Sequence, residues 1–130
     1  MSTPKQPVIC VIDDEERIRR LLIEALEDYE EFSLLSAGSA EEALELLAAT
    51  PADLCIVDMR LPGISGEKFI LQAWERGLCP RFLLHSGSMD LSLSEDLQRL
   101  GMTDKDVFLK PATTDHMVIR MRQLLQAKVD

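Results

Sequence analysis

Four short apolar runs each end on polar residues able to do chemistry. Asp13-Asp14 follow Val8 to Ile12, Asp58 follows Leu54 to Val57, His85-Ser86 follow Phe82 to Leu84, and Lys110 follows Val107 to Leu109. Carboxylates held within a few ångströms of one another are costly unless a cation or a proton neutralises them. Oxygen ligands with no His or Cys among them suit a hard ion, Mg²⁺ or Mn²⁺. A hydroxyl donor and a lysine ammonium suit phosphoryl oxygens. If the fold gathers these run ends, they describe a site for a phosphoryl group carried with a divalent metal. Each member alone has a plainer reading: good charge placement before a helix, a strand-end hydroxyl, a solvated lysine. Their joint occurrence at successive run ends carries the functional one.

The intervening segments supply the positioning elements. Runs this short, apolar throughout and closed by turn residues, fit parallel strands covered on both faces. Ile18, Leu21, Leu22, Ala25 and Leu26 repeat at helical spacing, with Arg17, Arg19 and Glu24 opposite. Phe32 to Ala37 reads as an edge-like strand. Ser39 with Glu42 forms a capping box for a helix whose stripe is Ala40, Ala43, Leu44 and Leu47. Pro62, Gly63 and Gly66 turn the chain after Asp58 into a helix carrying Phe69, Ile70, Ala73 and Trp74, which is expected to pack on the sheet. Ser92 with Glu95 is a second capping box, opening a short helix with Leu93, Leu97 and Leu100 that Gly101 ends. A last helix is expected from about Thr114 to Lys128, with Val118, Met121 and Leu125 inward and His116 in solvent.

Strict β-α alternation with short connections leaves a parallel sheet wrapped on both faces by helices. The expected fold is a doubly wound α/β sandwich of five strands in the flavodoxin-like order 2-1-3-4-5, with its crevice between the ends of strands 1 and 3. That order brings Asp13, Asp14 and Asp58 to one crevice. Residues 1–7 are expected to be a loose tail and residues 8–130 one domain.

At 130 residues the chain is long enough for one core. A hydrophobic content of 46% excludes general disorder, and no apolar run approaches a bilayer span. With no signal-peptide pattern, a soluble cytoplasmic protein is expected. Lys and Arg total 14 against 23 Asp and Glu, a net charge of −9 that argues against direct nucleic-acid binding. Cys10, Cys55 and Cys79 are scattered, without a CxxC, and read as buried free thiols.

On Asp13-Asp14, Asp58 with Met-Arg-Leu-Pro-Gly-Ile-Ser-Gly after it, Ser86 and Lys110-Pro111, the sequence resembles response-regulator receiver domains of the CheY-like superfamily, over roughly residues 8–128. The resemblance implies that Asp58 accepts a phosphoryl group from a histidine kinase or phosphotransfer protein. It implies Mg²⁺ (or Mn²⁺) held by Asp13, Asp14, Asp58 and the backbone carbonyl of Arg60, with Ser86 and Lys110 on the phosphoryl oxygens. Such a domain is not a turnover enzyme, although it catalyses its own phosphorylation and its own slow dephosphorylation. A downstream protein is expected on the face made by the fourth helix, fifth strand and last helix, with a homodimer on phosphorylation as a further use. The family also implies a cis Lys110–Pro111 bond, and at Arg60 and Ser88 it tunes how fast phosphate is lost. In place of the family's aromatic three residues before the lysine stands Val107; Phe108 follows it as an expected core residue, and Ala112 replaces the common Phe after Lys-Pro. Activation is therefore expected to run through Ser86 and the loop Gly87 to Leu91, and His85 is expected as a buried neutral imidazole with one hydrogen bond.

Other functions on this fold want other residues. A flavin or nucleotide site wants a Ser/Thr/Gly-rich loop after strand 1, where this chain has Asp-Asp-Glu-Glu. A haloacid-dehalogenase-like phosphatase wants D-x-D at one strand end, and a receiver reduced to a binding module would have lost part of the acid, hydroxyl and lysine set.

Overall fold

The computed structural model describes residues 6–87, 92–110 and 112–126. The strands are β1 (Val8–Ile12), β2 (Ser33–Ala37), β3 (Leu54–Val57), β4 (Phe82–Ser86) and β5 (Val107–Leu109). All pair in parallel in the order β2-β1-β3-β4-β5. The helices are α1 (Glu16–Glu27), α2 (Ala40–Ala49), α3 (Gly66–Glu75), α4 (Glu95–Arg99) and α5 (Thr114–Gln126), with a 3-10 turn, Asp104–Asp106, before β5.

Because strand side chains alternate between faces, the sheet makes two cores. Cys10, Ile12, Cys55, Val57, Phe82 and Leu84 meet α2, α3 and α4 on one side. Ile9, Val11, Leu54, Ile56 and Leu83 meet Leu22, Leu26, Met117, Val118 and Met121 of α1 and α5 on the other. Val107 and Phe108 divide between these faces, Val107 against the first core and Phe108 against the second. The three cysteines are buried and free, and burial pushes the Cys55 thiol well above its ordinary value, so it stays protonated and inert.

Several local expectations change. Leu21 is 57% exposed: Leu22 and Leu26, four apart, are the buried residues of α1, and Ile18 is half-buried. Trp74 is 49% exposed, because α3 turns Phe69, Ile70 and Ala73 inward and the five-residue α4 is too short to cover the flank. The cap of α4 is Ser94, not Ser92: its hydroxyl accepts from Leu97 N–H and also donates to Glu67 of α3, a tertiary tie that local spacing does not reveal. At α2 only half of the capping box forms, since Ser39 Oγ accepts from Glu42 N–H while the Glu42 carboxylate accepts from Gly38 N–H. Of the expected tail, Pro7 C=O accepts from Ser33 N–H and Gln6 donates to Glu30 C=O; residues 1–5 lie outside the described residues.

Gly66 opens α3 where the chain doubles back beneath Asp58. A Cβ there would stand 2.5 Å from the Asp58 carbonyl oxygen and 2.7 Å from Met59 Cα. Both are backbone atoms and cannot swing aside. Gly66→Ala is expected to destabilise the fold by about 2 kcal/mol through overpacking, read as a lower urea midpoint; an unchanged midpoint would show that this loop yields freely.

Candidate functional site

The β1–β3 crevice gathers the acids as the topology requires. Asp58 N–H donates to Ile12 C=O and Asp13 N–H to Ala37 C=O, which extends the ladders one residue past each strand. Asp13 Oδ1 accepts from Glu15 N–H and Asp58 Oδ1 from Arg60 N–H, two local turns that fix both carboxylates. Arg19 donates to the Asp13 carbonyl at 2.8 Å, so it braces the loop and does not sit on the solvent side where its spacing put it.

Lys110 closes the crevice from β5. Its N–H donates to Ser86 C=O, and its Nζ lies 2.7 Å from Asp13 Oδ2, 3.1 Å from Asp58 Oδ2 and 3.4 Å from Glu15 Oε1. Burial alone would lower the lysine pKa, but hydrogen bonds to Asp13 and Asp58 outweigh it and hold the ammonium above its usual range. Glu15 is a site residue that the sequence reading passed over; it shares a run of four acids and nothing in spacing separates it from its neighbours. Asp13, Asp14 and Asp58 each offer a carboxylate oxygen within 4.8 Å of the others. Asp13 and Asp58 are buried and Asp14 is exposed. An all-oxygen set of this charge fits a hard divalent cation. The open cleft here, about 270 Å³, is lined by Asp14, Glu15, Asp58, Arg60, Gly87 and Lys110. Ser86 is fully buried at the end of β4, with Gly87 next to it on the cleft wall. The loop beyond Gly87, Ser88 included, and Pro111 with its peptide bond lie outside the described residues.

His85 departs from expectation. It is buried, at 7% exposure, but among the described residues its Nε2 has no hydrogen-bond partner. Burial first, and then the Lys110 charge, lower its pKa from 6.5, while Asp13 and Asp58 push the other way. On acidification the unfolded chain therefore takes up this proton first. The stability that a neutral His85 supports is complete above the unfolded value and is lost as pH falls through the folded one. His85→Phe is expected to reduce the fall in urea midpoint between about pH 7 and pH 5, the range that brackets ordinary histidine titration. An unchanged slope would place the acid sensitivity elsewhere.

A parallel sheet of this order, with acids at its switch point and a lysine reaching in from the last strand, defines the receiver class of α/β domain. The sequence model of the response regulator receiver domain matches residues 9–122, and the chain belongs to that family. It is 34% identical over 127 residues to the hydrogenase transcriptional regulatory protein HoxA of Cupriavidus necator, covering 95% of this chain and 25% of HoxA. It is 29% identical over 126 residues to the transcriptional regulatory protein ResD of Bacillus subtilis, covering 97% of this chain and 51% of ResD. The chain thus spans between a quarter and about half of these relatives. Among solved structures, the response regulator StyR matches with TM-score 0.82 at 21% identity, over 95% of this chain and 61% of StyR. The signal receiver domain of an HD domain-containing protein from Pseudomonas fluorescens matches with TM-score 0.78 at 24% identity, over 95% and 97% of the two chains. These two likenesses establish the fold.

Proposed function

We propose that this receiver domain is a phosphorylation-dependent switch in which Asp58 accepts a phosphoryl group from a histidine kinase or phosphotransfer protein. The observation that carries the reading is the clasp of Lys110 Nζ on both Asp58 and Asp13 inside a three-carboxylate cluster. An Asp58 oxygen attacks phosphorus, the bond from phosphorus to the donor imidazole breaks, and the imidazole leaves with the electron pair. Attack brings a carboxylate against oxygens that already carry negative charge, so the protein's task is positioning and charge compensation. Lys110 supplies one positive charge beside the attacking oxygen, and Ser86 a hydroxyl toward the transferred group. Asp13, Asp14 and Asp58, with the Arg60 carbonyl, would hold Mg²⁺ (or Mn²⁺), which when bound offsets the remaining repulsion. The domain then turns over only its own phosphoryl group.

The signal leaves through the α4–β5–α5 face to a downstream protein, or to a second copy of the domain. Leu109 of β5, 42% exposed, gives that face an apolar contact. Its named relatives are transcriptional regulators; with a net charge of −9 this domain leaves nucleic acid to other parts of such proteins. Among the described residues no helix is long and apolar enough to cross a membrane, which accords with action in the cytoplasm.

The test is the native chain with acetyl phosphate. Intact mass is expected to rise by one phosphoryl group with Mg²⁺ and not with a chelator, and hydroxylamine is expected to release that group as inorganic phosphate and leave a hydroxamate at Asp58, as an acyl phosphate requires. A hydroxylamine-stable adduct would overturn the reading. Asp14→Asn is expected to abolish the metal-dependent reaction and the rise in melting temperature that metal gives the native chain. Because Asp14 is exposed, the variant should melt no lower than the native chain without metal; a large metal-free loss would make Asp14 a structural residue.

A further inference from the structure

Beside Lys110, α1, the end of β4 and the start of α5 surround an open cleft of about 400 Å³. Ile18, Leu21 and Leu22 of α1 form one wall, Ala112 and Thr114 another, and His85 lies among them, with Lys110 at the border. Strand alternation accounts for the histidine: Leu83 and His85 point to the same side of β4, Leu83 into the core and His85 one step beyond it, where the helices diverge. A largely apolar cleft of this size with a few polar groups, His85, Thr114 and Lys110 at its border, has the character of a small-molecule site. Buried polar atoms in folded proteins are nearly always paired, yet His85 Nε2 is not paired within the described residues.

We propose that this cleft binds a small neutral aromatic alcohol, its ring between α1 and α5 and its hydroxyl on His85 Nε2. Charge selects a neutral guest. The Lys110 ammonium is already held by Asp13, Asp58 and Glu15, so an anion would face these acids with no free cation to meet it. A cation would find no carboxylate among the described lining residues. A hydroxyl both donates and accepts, so it pairs with Nε2 whichever ring nitrogen carries the proton. A ring covers the branched apolar walls while losing less freedom than a chain of equal area. The site does not depend on the chemistry proposed for Asp58.

Phenol is the probe and toluene, of the same shape without the hydroxyl, its control, both titrated into the native chain and followed by methyl and imidazole NMR. Phenol is expected to shift the Ile18, Leu21 and Leu22 methyls and the His85 ring saturably, and to bind about fivefold more tightly than toluene, the worth of one net hydrogen bond. His85→Phe should bring the two affinities together. Ala112→Leu should fill the cleft and abolish binding. Leu21→Asn, on the exposed rim where folding is least disturbed, should weaken both ligands severalfold and serves if Ala112→Leu folds poorly. Absence of saturable shifts, equal affinities in the native chain, or binding unaffected by Leu21→Asn would each overturn the assignment.

Discussion

Asp58→Asn is expected to gain no phosphoryl group from acetyl phosphate and Mg²⁺ where the native chain gains one. Asparagine keeps the shape, and its side-chain oxygen can still accept from Arg60 N–H as Asp58 Oδ1 does at 3.0 Å. Lys110 retains its shorter contact, 2.7 Å, to Asp13. What is lost is the charged oxygen that attacks, and one of the mutually repelling acids. The urea midpoint should therefore hold or rise slightly, so that the missing phosphoryl group cannot be ascribed to unfolding. Lys110→Met supplies the graded comparison: the nucleophile survives, but the charge beside it does not. By the worth of one preorganised electrostatic partner, phosphorylation should slow about 10²-fold. A full phosphoryl gain in Asp58→Asn would move the acceptor to Asp13 or Asp14.

Why the fold was legible while parts of the site were not follows from how each was encoded. Four of the five strands carry apolar runs ending on a polar residue, and alternation with helices leaves few topologies, so the meeting of Asp13 with Asp58 could be read from order alone. Spacing says nothing of neighbours brought by another element. Ser94 defeated Ser92 as a cap through Glu67 of α3, Trp74 was left uncovered by the shortness of α4, and Arg19 reached back to a carbonyl. His85 is buried as its strand position implies, but its Nε2 lacks a hydrogen-bond partner among the described residues; the cleft beside it is made jointly by α1, β4 and the start of α5, and no single segment announces it.

The same blindness hid the pair on which the last strand depends. Asp106, 2% exposed, closes the 3-10 turn just before β5. Its Oδ1 accepts from Arg120 Nε at 2.7 Å and its Oδ2 from Thr103 N–H at 2.9 Å, so one carboxylate caps the turn and ties it to α5. In sequence the partners stand on opposite sides of Lys110, and each alone reads as a surface charge. Arg120→Met keeps most of the stem's packing but leaves a buried carboxylate with a single backbone donor. Breaking a buried pair by removing one partner costs about 3 kcal/mol at the low end, the end that suits an arginine still 18% exposed. For a domain of this length that is a fall of about 10 °C in melting temperature. Asp106→Leu with Arg120→Met together should recover most of it, since a buried pair exchanged for apolar groups is often neutral. The recovery stops about 1 kcal/mol short, the cost of a lost cap. If Arg120→Met alone melts within about 2 °C of the native chain, a shift below 1 kcal/mol on the same scale, the pair does not anchor β5 to α5. The α4–β5–α5 face would then owe its shape to apolar packing alone.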